Sequence, residues 1–165
     1  MLTAAMNPCP CGYYGDDEKT CICAAHEILR YEKKISGPLL DRIDIQITVP
    51  RVKIKELRER EINEDETKTI RAKVSAARLI QKNRLASRKK FTNSELSSKE
   101  CDALIKLDSA GEQFVKEVFD KSLLSARGYY RVLKVAQTIA DLENAPVVTV
   151  NHLAESFGYR VREKK

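Results

Sequence analysis

The sequence predicts a mainly α-helical chain with a small α/β remnant at its N-terminal end. Three observations carry that expectation. Strict alternation of apolar and polar residues occurs once, in Ile43-Asp44-Ile45-Gln46-Ile47-Thr48-Val49, which ends at Pro50 and reads as a strand. Beyond about residue 53, apolar residues recur at helical spacing, with capping residues set before successive stripes. Hydrophobic residues make up 42% of the chain and charged residues 33%, enough apolar material for a core and too much for a disordered chain.

Taken in order, Leu2 to Met6 is short, apolar and strand-like. Pro8, Pro10, Gly12 and Gly15 make the next segment rich in turns. A helix is expected from about Ala24 to Lys34, followed by punctuation at Gly37-Pro38 and the Ile43–Val49 strand. Residues near Ile54 to Arg60 read as a short helix. From about Glu66 to Arg84, Ile70, Val74, Ala77 and Ile80 mark one face of a longer helix. Thr92 with Glu95, and Ser97 with Glu100, have capping-box spacing, and the helix from Ser98 should bury Cys101, Leu104 and Ile105. Asp108 is the expected N-cap of a helix with Val115, Val118, Phe119 and Leu123 on one face. Ser125 caps the next, whose stripe is Tyr129, Val132, Leu133, Ala136, Ile139 and Ala140; Asn144 and Pro146 end it. Val147-Val148 reads as an extended link, and Thr149 caps a last helix with Val150, Leu153, Ala154 and Phe157 inward. The chain therefore divides into residues 1–52 and a helical domain, 53–165.

The length of 165 residues suits one compact domain or two small ones. The formal charge of +6 permits contact with nucleic acid without demanding it. No apolar run approaches the roughly 18 residues that span a bilayer, and the N-terminus lacks the pattern of a secretory signal. The expectation is a soluble cytoplasmic protein without membrane contact. Cys9, Cys11, Cys21 and Cys23 cluster, while Cys101 stands alone on an apolar helix face and reads as core. Four soft ligands around a short loop suit Zn²⁺ in a structural role, with reduced, metal-free thiols as the alternative. The C-x-C spacing is tighter than the usual one, and His26 is a possible replacement for one sulfur. Lys82, Arg84, Arg88, Lys89 and Lys90 read as a solvated basic helix end more readily than as a DNA contact, and His152 reads as a surface residue.

Three local patterns then fall in a telling order. Ala4-Ala5-Met6-Asn7-Pro8 closes the first strand-like segment, Gly37-Pro38-Leu39-Leu40-Asp41-Arg42-Ile43-Asp44 leads into the second, and Ser125-Ala126-Arg127 opens an amphipathic helix. With Asn7-Pro8-Cys9-Pro10-Cys11-Gly12-Tyr13, this order resembles the C-terminal portion of the magnesium-chelatase-like AAA+ ATPases, specifically the ComM/YifB competence-protein family, over nearly the whole chain. The resemblance implies a truncated P-loop AAA+ core in residues 1–52, with the Cys-rich loop, followed by a helical lid bundle. It assigns Asn7 as the sensor-1 amide that positions the attacking water, Arg42 as the arginine finger, and Arg127 as the sensor-2 residue, with Arg131 as its competitor. Asn7 and Arg127 would meet the phosphates of ATP–Mg²⁺. Their chemistry suits phosphoryl transfer, which needs an oriented water and fixed positive charge. Arginine supplies that charge as a permanent planar fork.

The chain contains no G-x-x-x-x-G-K-[ST] loop and no acidic Walker-B run before the first strand. In the family both lie upstream of the matched region. The expectation is therefore that residue 1 lies inside a domain and that this chain alone does not hydrolyse ATP. The family's central P-loop strand separates the two strands expected here. Without it, the expectation is an ordered helical bundle and a mobile or rearranged N-terminal third. The intact protein would form a homo-hexamer and couple hydrolysis to DNA branch migration or unwinding. A non-enzymatic zinc-stabilised nucleic-acid-binding module and a magnesium-chelatase-type motor subunit are the alternatives.

Overall fold

The computed structural model describes residues 2–50, 52, 64–121 and 124–160, without the side chains of Phe119 and Asp120. The helix expected near Ile54 to Arg60, and Leu123, lie outside the described residues. The described residues divide into two compact units: 2–43, 47–50 and 52 in the first, 44–46 and 64–160 in the second.

The described residues of the first unit include two short helices. In α1 (Ala25–Glu32), the Glu27 carboxylate accepts the Ala24 N–H at 2.9 Å, satisfying a donor that the helix start leaves open. In α2 (Gly37–Leu40), Ser36 is the N-cap, its hydroxyl accepting from Leu39 N at 3.4 Å, and Pro38 sits in the first turn, where its missing N–H costs nothing. The Gly-Pro pair thus starts a helical turn. Neither Leu2–Met6 nor Ile43–Val49 is a strand. Alternation provides two faces, but a strand also needs a neighbour to complete its backbone hydrogen bonds. Ile45, Ile47 and Val49 are 52%, 67% and 73% exposed. Of the large apolar and cysteine side chains described in the first unit, Cys9 alone is buried.

The second unit is a helical bundle. It comprises α3 (Glu64–Leu85), α4 (Ser98–Leu104), α5 (Ser109–Asp120), α6 (Ala126–Leu142) and α7 (Val150–Gly158), with 3-10 turns at Ala86–Arg88 and Asn93–Glu95. The caps expected at Ser97, Asp108 and Ser125 form where the sequence places them. Ser97 and Glu100 make a capping box on α4. The Asp108 carboxylate accepts from Gly111 N at 2.7 Å at the head of α5, and the Ser125 hydroxyl accepts from Gly128 N at 3.1 Å at the head of α6. Asn144, at φ 56°, closes α6 in a Schellman arrangement: Ala145 N donates to Ala140 O at 2.8 Å and Asn144 N to Asp141 O at 3.2 Å. Thr92 behaves differently from a cap, donating its hydroxyl to the Glu95 carboxylate at 2.8 Å. The Val147-Val148 link pairs in part, through a parallel bridge between Leu107 and Val148.

Helix α6 is the centre of this bundle, packing on α7, α3 and α4, while α7 also packs on α5. Its apolar stripe meets Leu85, Leu96, Cys101, Ile105, Val148 and Leu153 in one core. Each fully buried leucine there stabilises by about 1.5–3 kcal/mol. Phe114 and Phe157 meet edge to face at 6.3 Å between α5 and α7. On α3 the expected stripe is covered only in its later part: Ala77 is buried, whereas Ile70 and Val74 are 55% and 45% exposed.

The basic run at the end of α3 is divided: Lys82, Arg88 and Lys89 are exposed, as expected of a solvated helix end, whereas Arg84 and Lys90 are half-buried against acidic partners. The Arg84 guanidinium donates to both oxygens of Asp141 at 2.7 Å and to Asn93 Oδ1 at 2.8 Å. Lys90 and Arg88 both pair with Glu100. His152 also departs from the surface expectation. It is 4% exposed, its Nδ1 accepts from Thr149 N at 3.0 Å, and its Nε2 lies 2.9 Å from Glu143. Thr149 is the N-cap of α7 as expected, and the ring accepts its backbone N–H as the reciprocal half of a capping box.

Candidate functional site

The cysteine cluster is built on a turn. Gly12 N donates to Cys9 O at 3.0 Å across Cys9-Pro10-Cys11-Gly12, which carries proline and glycine at the positions a tight turn favours. Gly12 has φ +85°, which a side chain would strain. The intervening loop folds on Asp16, whose carboxylate accepts from Glu18 N at 2.8 Å and Lys19 N at 2.9 Å. Lys19 returns over the Tyr13 ring at 5.0 Å.

These contacts bring the two C-x-C halves together. Cys9 Sγ lies 3.3 Å from Cys11 Sγ and 3.7 Å from Cys21 Sγ, and Cys11 Sγ lies 3.6 Å from Cys21 Sγ. All four sulfurs fall within 4.8 Å of one another, and all are free thiols. A tetrahedral zinc site with Zn–S bonds of about 2.3 Å has sulfur–sulfur edges of about 3.8 Å, so the four residues fit the ion. His26 is not among the grouped ligands. Hydrogen bonding from the Tyr13 backbone draws the Cys11 thiol down to about 6. For Cys23, the Cys11 backbone N–H favours the thiolate, but burial and the adjoining sulfurs outweigh it and push the thiol up to about 12. For Cys21, the Cys23 backbone acts the same way and is likewise overcome, so its thiol is raised. Cys11, Cys21 and Cys23 are thus shifted in opposite directions, and a divalent cation would supply the charge that lets all four sulfurs bind as thiolates.

Asn7 and Arg42 belong to the first unit and Arg127 to the second. Asn7 is exposed, with its carboxamide beside Gly12: a Cβ there would lie 3.7 Å from Asn7 Nδ2. Arg42 is exposed and donates Nη1 to Pro38 O at 2.9 Å, which ties it to the α2 turn. Arg127 is exposed in the first turn of α6, where the helix dipole disfavours a cation. Its competitor Arg131 is held by Asp44. Within the second unit the 44–46 segment is therefore fixed twice, by Arg131 on α6 and by Gln46 N donating to Tyr159 O at 2.8 Å after α7. The Asp44–Arg131 pair, 87 residues apart, has no local signal in the sequence. Gly12 had one, in its place within the Pro-x-Gly turn.

Comparison with known proteins sorts these observations. The family described as "Magnesium chelatase, subunit ChlI C-terminal" matches residues 64–160, and "Magnesium chelatase, subunit ChlI" matches residues 1–57. This chain belongs to the magnesium-chelatase ChlI family. Among curated relatives, the competence protein ComM of Haemophilus influenzae is 38% identical over 161 residues, covering 97% of this chain and 30% of ComM. The uncharacterized protein YifB of Escherichia coli is 33% identical over 164 residues, covering 99% of this chain and 31% of YifB. The ChlI-family chain thus spans about a third of the length of these relatives. Among its described residues no helix is long and apolar enough to cross a membrane.

Proposed function

We propose that this ChlI-family chain is the sensor and lid portion of a ring-forming AAA+ ATPase that uses ATP hydrolysis to remodel DNA. The observation that carries the reading is the family match across both units, with Asn7, Arg42 and Arg127 at the three motif positions in order. In this reading residues 1–52 are the remnant of the AAA+ α/β core and the helical domain is its lid. Asn7 orients the attacking water. Arg42 acts in a neighbouring subunit's site, so hydrolysis depends on the homo-hexamer. Arg127 reports nucleotide state to α6, a hinge-type coupling. ATP and Mg²⁺ would be held largely by residues outside this chain. Cys9, Cys11, Cys21 and Cys23 hold a structural Zn²⁺, since four protein ligands leave no open position for chemistry. DNA as the substrate is supported by the similarity to a competence protein. The pairing of Arg84 with Asp141 and of Lys90 with Glu100 weighs against a simple basic nucleic-acid-binding module.

The test is Arg42→Ala in a longer protein that includes this chain and the nucleotide-binding region. An arginine finger contributes on the order of 10³–10⁵ in rate. Turnover should therefore fall to background while ATP binding, measured by equilibrium titration, is unchanged. Wild-type turnover in that variant would remove Arg42 from the mechanism.

A further inference from the structure

The first unit has an unusual problem. Among its described residues there is no strand, the helices span only eight and four residues, and Cys9 is the sole buried large apolar or cysteine side chain. Helices this short do not persist by themselves. Small folds that lack a core are held by staples, and a bound metal is one of them. The four sulfurs are placed to act as one, linking the 9–11 turn to the 21–23 segment across nine residues.

The same turn carries a second feature. Asn7 stands two residues before the first ligand. Its carboxamide lies against Gly12, the residue that closes the turn between Cys9 and Cys11. Gly12, at φ +85°, holds a backbone conformation that a side chain would strain, and a Cβ there would sit in ordinary contact with Asn7 Nδ2, at 3.7 Å.

We infer that the metal bound by Cys9, Cys11, Cys21 and Cys23 is a positioning device for Asn7: closing the tetrathiolate fixes the Cys9–Gly12 turn, and the turn fixes the carboxamide. This rests on the reading that the cysteines hold Zn²⁺. It makes Asn7 responsive to metal loss or thiol oxidation without any change in the helical bundle. As the ion binds, the thiol protons pass to water and the thiolates become its ligands. Gly12 is then a positioning residue, acting on Asn7 through the turn.

The experiment uses the full 165-residue chain in two steps. Co²⁺ titration of the metal-free chain reads the ligand set, and one equivalent should give the d–d and sulfur-to-cobalt charge-transfer bands of a tetrahedral tetrathiolate. The side-chain NH₂ resonances of Asn7, identified by their loss in Asn7→Asp, are then compared between the Zn²⁺ and metal-free forms. Zinc should shift the Asn7 pair away from its random-coil position. The pair of Asn93, buried in the helical bundle, should stay where it is. The double variant Cys21→Ser/Cys23→Ser should show the metal-free Asn7 position even in excess Zn²⁺. Tetrathiolate bands with an unmoved Asn7 pair would overturn the positioning role and leave the zinc reading standing. Absence of the bands would overturn both. Equal movement of Asn93 would mean global unfolding and would also overturn the proposal.

Discussion

Replacing Asp141 tests what joins α3 to α6 in the bundle. Its side chain is 1% exposed and receives both guanidinium nitrogens of Arg84 at 2.7 Å, Asn93 Nδ2 at 2.9 Å and Gln137 Nε2 at 3.1 Å. In Asp141→Ala, Arg84 loses its carboxylate but keeps Asn93 Oδ1 at 2.8 Å and, at 22% exposure, recovers water. Asn93 keeps Thr138 at 3.0 Å, whereas Gln137, itself 5% exposed, loses its carboxylate. Breaking a buried pair costs about 3–5 kcal/mol, and partial hydration of Arg84 places this variant near the lower end, at about 3 kcal/mol. The reverse variant, Arg84→Met, leaves a carboxylate at 1% exposure with two neutral amides and should cost more. Urea unfolding followed by helical circular dichroism measures both, and Arg84→Met/Asp141→Leu closes the cycle. The double variant should recover much of the loss, since apolar replacement of a buried pair is often neutral. A cost below about 1 kcal/mol for Asp141→Ala, or a larger cost than for Arg84→Met, would refute the reasoning that desolvation governs this site.

Two further outcomes follow from local geometry. Lys90 and then the Ser97 hydroxyl and backbone hold the Glu100 carboxyl down to about 2 from an ordinary value of 4.5. A depressed folded-state value gives stability that is complete above pH 4.5 and lost as the pH falls toward 2; thermal melts of Glu100→Gln across that window should show a flatter acid limb than wild type. In Gly111→Ala, the new Cβ would lie 2.9 Å from Asp108 Oδ1 and 3.0 Å from Leu153 Cδ1, disturbing the α5 cap and a fully buried leucine. Set against the better helix propensity of alanine, the net loss should be about 1–2 kcal/mol, read as a lower urea midpoint; an unchanged midpoint would show that the α5–α7 approach is looser than these distances.

What could be read from the sequence was local. The caps at Ser97, Asp108 and Ser125 need only a side chain and a backbone group three residues on, so composition and order suffice. The α6 stripe and its end at Asn144 are equally local. So is the cysteine cluster, whose four thiols lie within one short loop and close enough together to hold a metal ion. The tertiary structure decided what depends on a distant partner. Arg84 looked like one cation among five until Asp141, 57 residues away, took it. His152 looked like a surface residue, yet its ring supplies the acceptor for Thr149 and is covered by the bundle. Ile43–Val49 had the alternation of a strand, but a strand is completed by its neighbour's backbone, and no described segment provides a ladder for it. Short-range hydrogen bonds are written in the order of residues, whereas long-range pairing and desolvation are set only when the chain has folded.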